Sequence, residues 1–266
     1  MEYLAKNADD ARNLSHQLPR ALLAGKDELF GIMQEPDTDL LLAALRNPVL
    51  DEGHLLVLLK RRGLPEELFQ AIYANKKLLE NNRVKYDFVR HADVPLHIAQ
   101  TILPQLHLFE LTKICQLPGI NTDLKLAAER AIIQRLPTQP LGNKLTLARQ
   151  GSSAIVEMLI REGQPQVVEA CLDNPHLKEG SVYQFITSFH ANADTISMVA
   201  RHARWKGRPN IRFAILKNPR TPLVWFASFL PTMLPQQLRD LLAMPKLAAA
   251  QKDLVRKALN VKGKHH

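Results

Sequence analysis

Apolar residues recur along this chain in short runs at helical spacing, and prolines or polar turns interrupt each run before it grows long. Residues 122–136 show the pattern: Leu124, Ala127, Ala128, Ala131, Ile132 and Leu136 share one face, while Lys125 and Glu129 stand four apart on the other. Asn121 or Thr122 is placed to cap that helix. The apolar stretch from Ile155 to Ile160 is broken by Gly163-Gln164-Pro165, resumes from Val167 to Leu172, and stops again at Asn174-Pro175. Strand alternation finds no place. The spacing predicts an all-α chain of short helices, each marginal alone and stable only with its apolar face against neighbours. Units stacked for that reason make an α-solenoid.

Laid over itself so that Asn47 meets Asn174, the chain matches without a gap: positions 41–132 overlie 168–259 with 15 identities. In this register Asn47-Pro48 meets Asn174-Pro175, Glu52-Gly53 meets Glu179-Gly180, Pro95-Leu96 meets Pro222-Leu223, and Leu103-Pro104 meets Leu230-Pro231. Four prolines coincide, against about 0.4 expected from random placement. Duplication explains that better than chance. One gap, joining Ala24-Gly25 to Gln150-Gly151, extends the copies. The organisation read from this is a polar N-terminal segment or cap at 1–20, a helical half at 21–135, a connection at 136–146, a second half at 147–262 and a basic tail at 263–266.

Units such as IRFAILKNPRTPLVWFASFL and VKYDFVRHADVPLHIAQTIL share one shape: apolar helix, Asn-Pro or His-Ala turn, Pro-Leu, second helix. In this the chain resembles the HEAT-like and leucine-rich-repeat-variant α-helical repeat proteins, over most of its length. Repeat lengths are irregular here, and His91-Ala92 stands where the other copy has Asn218-Pro219. The resemblance implies a curved superhelix whose groove binds a macromolecule, usually without catalysis.

Composition agrees with helix. Hydrophobic residues make up 46% of the chain, enough for a substantial core, while 11 glycines and 6% aromatics are few for a barrel or sandwich. Two distant cysteines, Cys115 and Cys171, form no disulfide framework or zinc spacing; they are expected in the core of a cytoplasmic protein. The segment 1–20 is charged throughout and lacks the apolar stretch of a signal peptide. The charge-free run from Thr221 to Leu238 is interrupted by Pro222, Pro231 and Pro235, so it reads as buried helix and membrane insertion is not expected.

Charge changes the picture more. The net +9 is not spread evenly: residues 195–266 hold 14 Lys and Arg against Asp240 and Asp253, and no acid lies between Asp194 and Asp240. Arg201, Arg204, Lys206, Arg208, Arg212, Lys217 and Arg220 fall in that gap, with Lys85 and Arg90 at the matching region of the first copy. Arg201, Arg204 and Arg208 would lie along one face of a helix ending at Pro209. These nine are the candidate residues for binding an anionic partner.

Catalytic chemistry is not legible. Glycines stand singly, so neither a dinucleotide fingerprint nor a phosphate loop appears, and Ser152, Ser153 and Ser181 read as turn or cap residues. His91 and His97 with Asp87 and Asp93 form the densest His/carboxylate cluster, at no metal-ligand spacing; they read as a polar turn around a helix end. No cofactor is expected. The reading is a non-enzymatic scaffold binding a protein with an acidic or amphipathic segment. The alternative is a nucleic-acid-binding protein, its least favoured form resembling the HEAT-like alkylpurine DNA glycosylases, which need aromatic side chains and a carboxylate beside the lesion. Only Trp205 and Trp225 could serve as the indoles.

Overall fold

The computed structural model describes residues 18–263. Residues 1–17 of the polar segment and 264–266 of the basic tail, His265-His266 included, lie outside the described residues. All regular structure among the described residues is helical. The chain divides into two compact units, one running to Ala131 and one starting at Ile132. The first carries a helix at 18–23, then Lys26–Ile32, Thr38–Ala44, Glu52–Leu58, Glu66–Ala74, Asn82–Val89, Leu96–Ile102, Leu108–Gln116 and most of Thr122–Arg135. The second carries Leu141–Gln150, Ser153–Arg161, Pro165–Leu172, Glu179–Thr187, Ala193–Arg201, Pro209–Lys217, Leu223–Phe229, Pro235–Ala243 and Ala249–Gly263. The stretch 136–146 is itself structured, with a 3-10 turn at Leu136–Thr138 and the start of the helix Leu141–Gln150.

Local chemistry sets the helix ends. Asp37, Asp51, Asn81 and Asn192 accept hydrogen bonds from the free backbone N–H groups of the first turn. Pro165, Pro209 and Pro235 begin helices, where a missing N–H costs nothing. Asn121, rather than Thr122, caps Thr122–Arg135: its Oδ1 accepts from Asp123 N at 2.8 Å. The face predicted on that helix is buried at Leu124, Ala128, Ala131 and Ile132. Glu129, expected opposite it in solvent, is buried as well and lies close enough to Cys115 to disfavour its thiolate.

Within each unit, every substantial helix–helix contact joins a helix to the next along the chain or the next but one. Large buried side chains fill these contacts: Phe69 meets Phe88 edge-on at 5.6 Å in the first unit, and Phe185, Trp205 and Phe226 are buried in the second. Each is worth about 1.5–3 kcal/mol as apolar surface removed from water. The long-range side-chain hydrogen bonds keep the same local scale, most joining positions 23 to 33 apart.

The turns are built by one recurring device. Asn47 donates through Nδ2 to the carbonyls of Ala21 (2.9 Å) and Ala24 (3.0 Å), while its Oδ1 accepts from Val49 N (2.9 Å). Asn174 donates to Ala148 (2.8 Å) and Gly151 (3.2 Å) and accepts from His176 N (2.7 Å). All three partners correspond, one for one, in the register that lays Asn47 on Asn174. These bonds equate Ala24 with Gly151, so the gap used to join Ala24-Gly25 to Gln150-Gly151 is not needed. Asn218 repeats the arrangement with Ile186 O (2.6 Å) and Arg220 N (2.9 Å). His91, at the position matching Asn218, does the same with a ring: Nδ1 accepts from Asp93 N (3.2 Å) and Nε2 meets Arg61 O (2.7 Å). Those partners assign the proton to Nε2.

Two expectations about elements are corrected. Arg201, Arg204 and Arg208 do not share a helix face, because the helix Ala193–Arg201 ends at an extended His202 and residues 203–207 form turns. What wins there is Trp205, which turns inward and is only 2% exposed. The run from Thr221 to Leu238 is not one buried helix: a 3-10 turn at Leu230–Thr232 splits it, and Leu223 (46%), Val224 (63%) and Leu234 (65%) face solvent. No helix among the described residues is long and apolar enough to cross a membrane.

Candidate anion-binding cleft

The cleft in the second unit is assembled around the turn that follows Arg201. His202 Nδ1 accepts from Arg204 N at 3.2 Å, and its Nε2 meets Asp173 Oδ1 at 3.0 Å, which turns the chain out of the helix. Trp205 then plugs the interior, donating from Nε1 to Leu172 O at 3.1 Å. Arg204 lies 4.4 Å over the Trp205 ring and donates to the carbonyls of Asn174 (2.8 Å), Pro175 (3.2 Å) and Leu177 (2.9 Å). The turn is therefore stapled to residues 172–177 at two adjacent positions.

Arg201 and Lys206 flank that staple, and Arg212 enters from the first turns of the helix Pro209–Lys217. Its Nε donates to Lys206 O at 2.6 Å, and its guanidinium stands 5.5 Å from the Phe229 ring. Across from it, Trp225 on the helix Leu223–Phe229 is held by its Nε1 on Ser197 Oγ (2.9 Å) and by stacking on Phe229 (5.7 Å, 28°). These groups line one cleft of about 460 Å³ with Ala200, Ala203, Ser228 and Thr232. Its lining contains no carboxylate. Arg201, Lys206 and Arg212 have no charge partner among the described residues, so together they make a local positive field, strengthened by the low-dielectric indole and phenyl surfaces beside it.

The nine candidate cations divide by what already occupies them. Arg204 and Arg220 hold backbone carbonyls, Arg220 through NH1 on Phe189 O and on Ala191 O at 3.0 Å. Arg208 faces Glu179 at 3.9 Å, Arg90 pairs with Asp87 at 2.7 Å, and Lys217 sits 4.3 Å over the Phe213 ring. Arg201, Lys206 and Arg212 are the three that come together at the cleft. Lys85 lies half-buried in the helix Asn82–Val89 of the first unit.

The first unit has its own cleft of about 640 Å³, lined by Lys60, Arg61, Arg62 and Arg90 with Asp87 and His91. Arg61 is committed there to the carbonyls of Met33 (2.8 Å) and Glu35 (2.7 Å). Lys60 and Arg62 escaped the sequence reading, although Lys60-Arg61-Arg62 is a run of three bases. His91 serves its turn, and no group of three or more His, Cys, Asp or Glu side chains among the described residues is arranged to hold a metal ion.

Both cysteines are buried, with Cys171 Sγ 3.8 Å from Val156 O. Burial pushes both thiols up to about 12, with Glu129 adding to the effect on Cys115 and Glu162 to that on Cys171. The chain matches no protein-family model, no curated protein and no solved structure.

Proposed function

We propose that this all-α protein is a non-catalytic α-solenoid scaffold of HEAT-like or leucine-rich-repeat-variant character, built from two duplicated halves. Its second unit binds an acidic or amphipathic segment of a protein partner, in the cytoplasm. The observation that carries the binding reading is the gathering of Arg201, Lys206 and Arg212 beside Trp225 in a cleft whose lining has no carboxylate. Support for the solenoid comes from helices packed on near neighbours in sequence and from side-chain hydrogen bonds that reach back by about the length of one repeat. Support for duplication comes from the matching bond sets of Asn47 and Asn174. The two free cysteines support a reducing compartment. A glycosylase-like reading would need an acid next to the indole, and the cleft lining provides none.

The test is the affinity of fluorescein-labelled poly-glutamate for the wild type and for the R201E/K206E/R212E variant, at about 50 mM and about 200 mM salt. Charge reversal should weaken binding about tenfold or more, and K246E, which reverses an exposed lysine outside the cleft, should leave it near wild type. Equal binding by wild type and triple variant would remove the cleft from the function. Duplex DNA or RNA bound more tightly than the peptide in the same buffer would replace the protein partner with a nucleic acid.

A further inference from the structure

We infer that the cleft of the second unit holds one bulky apolar side chain of an acidic peptide, seated against Trp225 and Phe229, while Asp or Glu residues flanking it meet Arg201, Lys206 and Arg212. This rests on the acidic-partner reading and specifies its ligand. Trp225 has its polar atom satisfied by Ser197 and one neighbour ring in Phe229, yet the residue is only half-buried. What it still offers is ring surface, whose gain comes from covering by an apolar group. Ala200 and Ala203 line the same cleft with single-carbon side chains, and it holds about 460 Å³ of space. Leu223 and Val224, the two residues before Trp225, add exposed apolar surface on the same helix.

Charge placement selects a peptide over a nucleic acid. A single strand carries a phosphate on every nucleotide and is held by cations set along a track with aromatic platforms between them. Here the bases that would extend such a track, Arg204, Arg208 and Arg220, are committed to carbonyls or to Glu179. Arg201 and Lys206, together with Arg212, which gives only its Nε to the Lys206 carbonyl, line a single recess beside Trp225 and Phe229. That geometry matches an anchor side chain with acids on either side of it.

The experiment compares two labelled peptides of identical length and glutamate content, one with a central Phe and one with Ala in its place, and a labelled oligothymidylate. Binding is read by anisotropy with the wild type, Trp225→Ala, Ala203→Phe and the R201E/K206E/R212E variant. The Phe peptide should bind the wild type roughly 10- to 100-fold more tightly than the Ala peptide. Trp225→Ala should abolish that preference. Ala203→Phe, which fills the recess and leaves Trp225 in place, should abolish it too, so the result does not depend on one variant folding. The triple variant should weaken both peptides alike. Equal binding of the Phe and Ala peptides to the wild type, or a preference that survives both Trp225→Ala and Ala203→Phe, overturns the inference while leaving an acidic partner standing. Binding of neither peptide overturns that broader reading as well. Tighter binding of the oligothymidylate than of the Phe peptide overturns the inference in favour of a nucleic acid.

Discussion

At the scale of single residues, the side chains that shape this molecule are polar ones that replace missing backbone partners. Asn174 satisfies two carbonyls and one N–H at once, in a site only 1% exposed. Asn174→Ala should therefore cost about 2–3 kcal/mol, because several buried groups lose their partner together. His91→Asn should cost less, about 1 kcal/mol: the amide keeps the acceptor for Asp93 N, but it is shorter than the ring, so it gives up the reach to Arg61 O and the contact with the Phe69 ring at 5.0 Å. Urea unfolding of both variants checks the pair, and a larger loss in His91→Asn than in Asn174→Ala would refute that order. The arginines separate along the same line. Arg204→Ala should lower stability by about 1–2 kcal/mol and leave poly-glutamate affinity of the folded protein intact, whereas Arg201→Ala should do the reverse. Sequence alone could not sort these two. Both are arginines in the same acid-free run, and the difference lies in the distant carbonyls of Asn174, Pro175 and Leu177 that only the folded chain brings to Arg204.

Elements were legible where their signals were local. The break at Gly163-Gln164-Pro165, the stop at Asn174-Pro175 and the buried stripe around Ala128 all follow from neighbours a turn or two away. The helix expected through Arg208 does not form although its local periodicity is acceptable, because burial of Trp205 against Leu172, far back along the chain, outweighs it. The break in the Thr221–Leu238 run falls where Pro231 enters a 3-10 turn and Pro235 opens the next helix, positions at which the proline ring removes a hydrogen bond of a continuous helix. Helix ends also supply a quantitative test. Gly163 follows Ser153–Arg161 with φ of 72°, and a Cβ there would stand 2.7 Å from His190 O. Gly63 has a similar φ of 71° with open space around it. Gly63→Ala should cost about 1 kcal/mol for backbone conformation alone, and Gly163→Ala should cost measurably more because of the contact, roughly 2 kcal/mol or above. Thermal melts of the two variants would show the order, and equal losses would show that the His190 carbonyl yields freely.

Across the whole molecule, two units each carry one buried thiol, so the cysteines report on each unit separately. With both held near pKa 12, alkylation by iodoacetamide at pH 8 should run about a thousandfold slower than for a free cysteine, and both should react fully in denaturant. Mass spectrometry after timed labelling reads each site, and rapid labelling of either one without denaturant would contradict its burial. Helical character and the skew of charge toward the C-terminal quarter could be read from the sequence, because both are sums over many residues. The cleft could not, since it depends on Trp225 of one helix lining the same space as Arg201 at the end of a second, Lys206 in the turn after it and Arg212 on a third. The stapling of residues 204 and 205 onto the 172–177 segment has a consequence for that meeting. Arg201 and Lys206 stand at either end of a strap already fastened before any visitor arrives. Docking there would freeze few additional backbone torsions, so the entropic toll of the proposed association would fall mainly on the incoming chain.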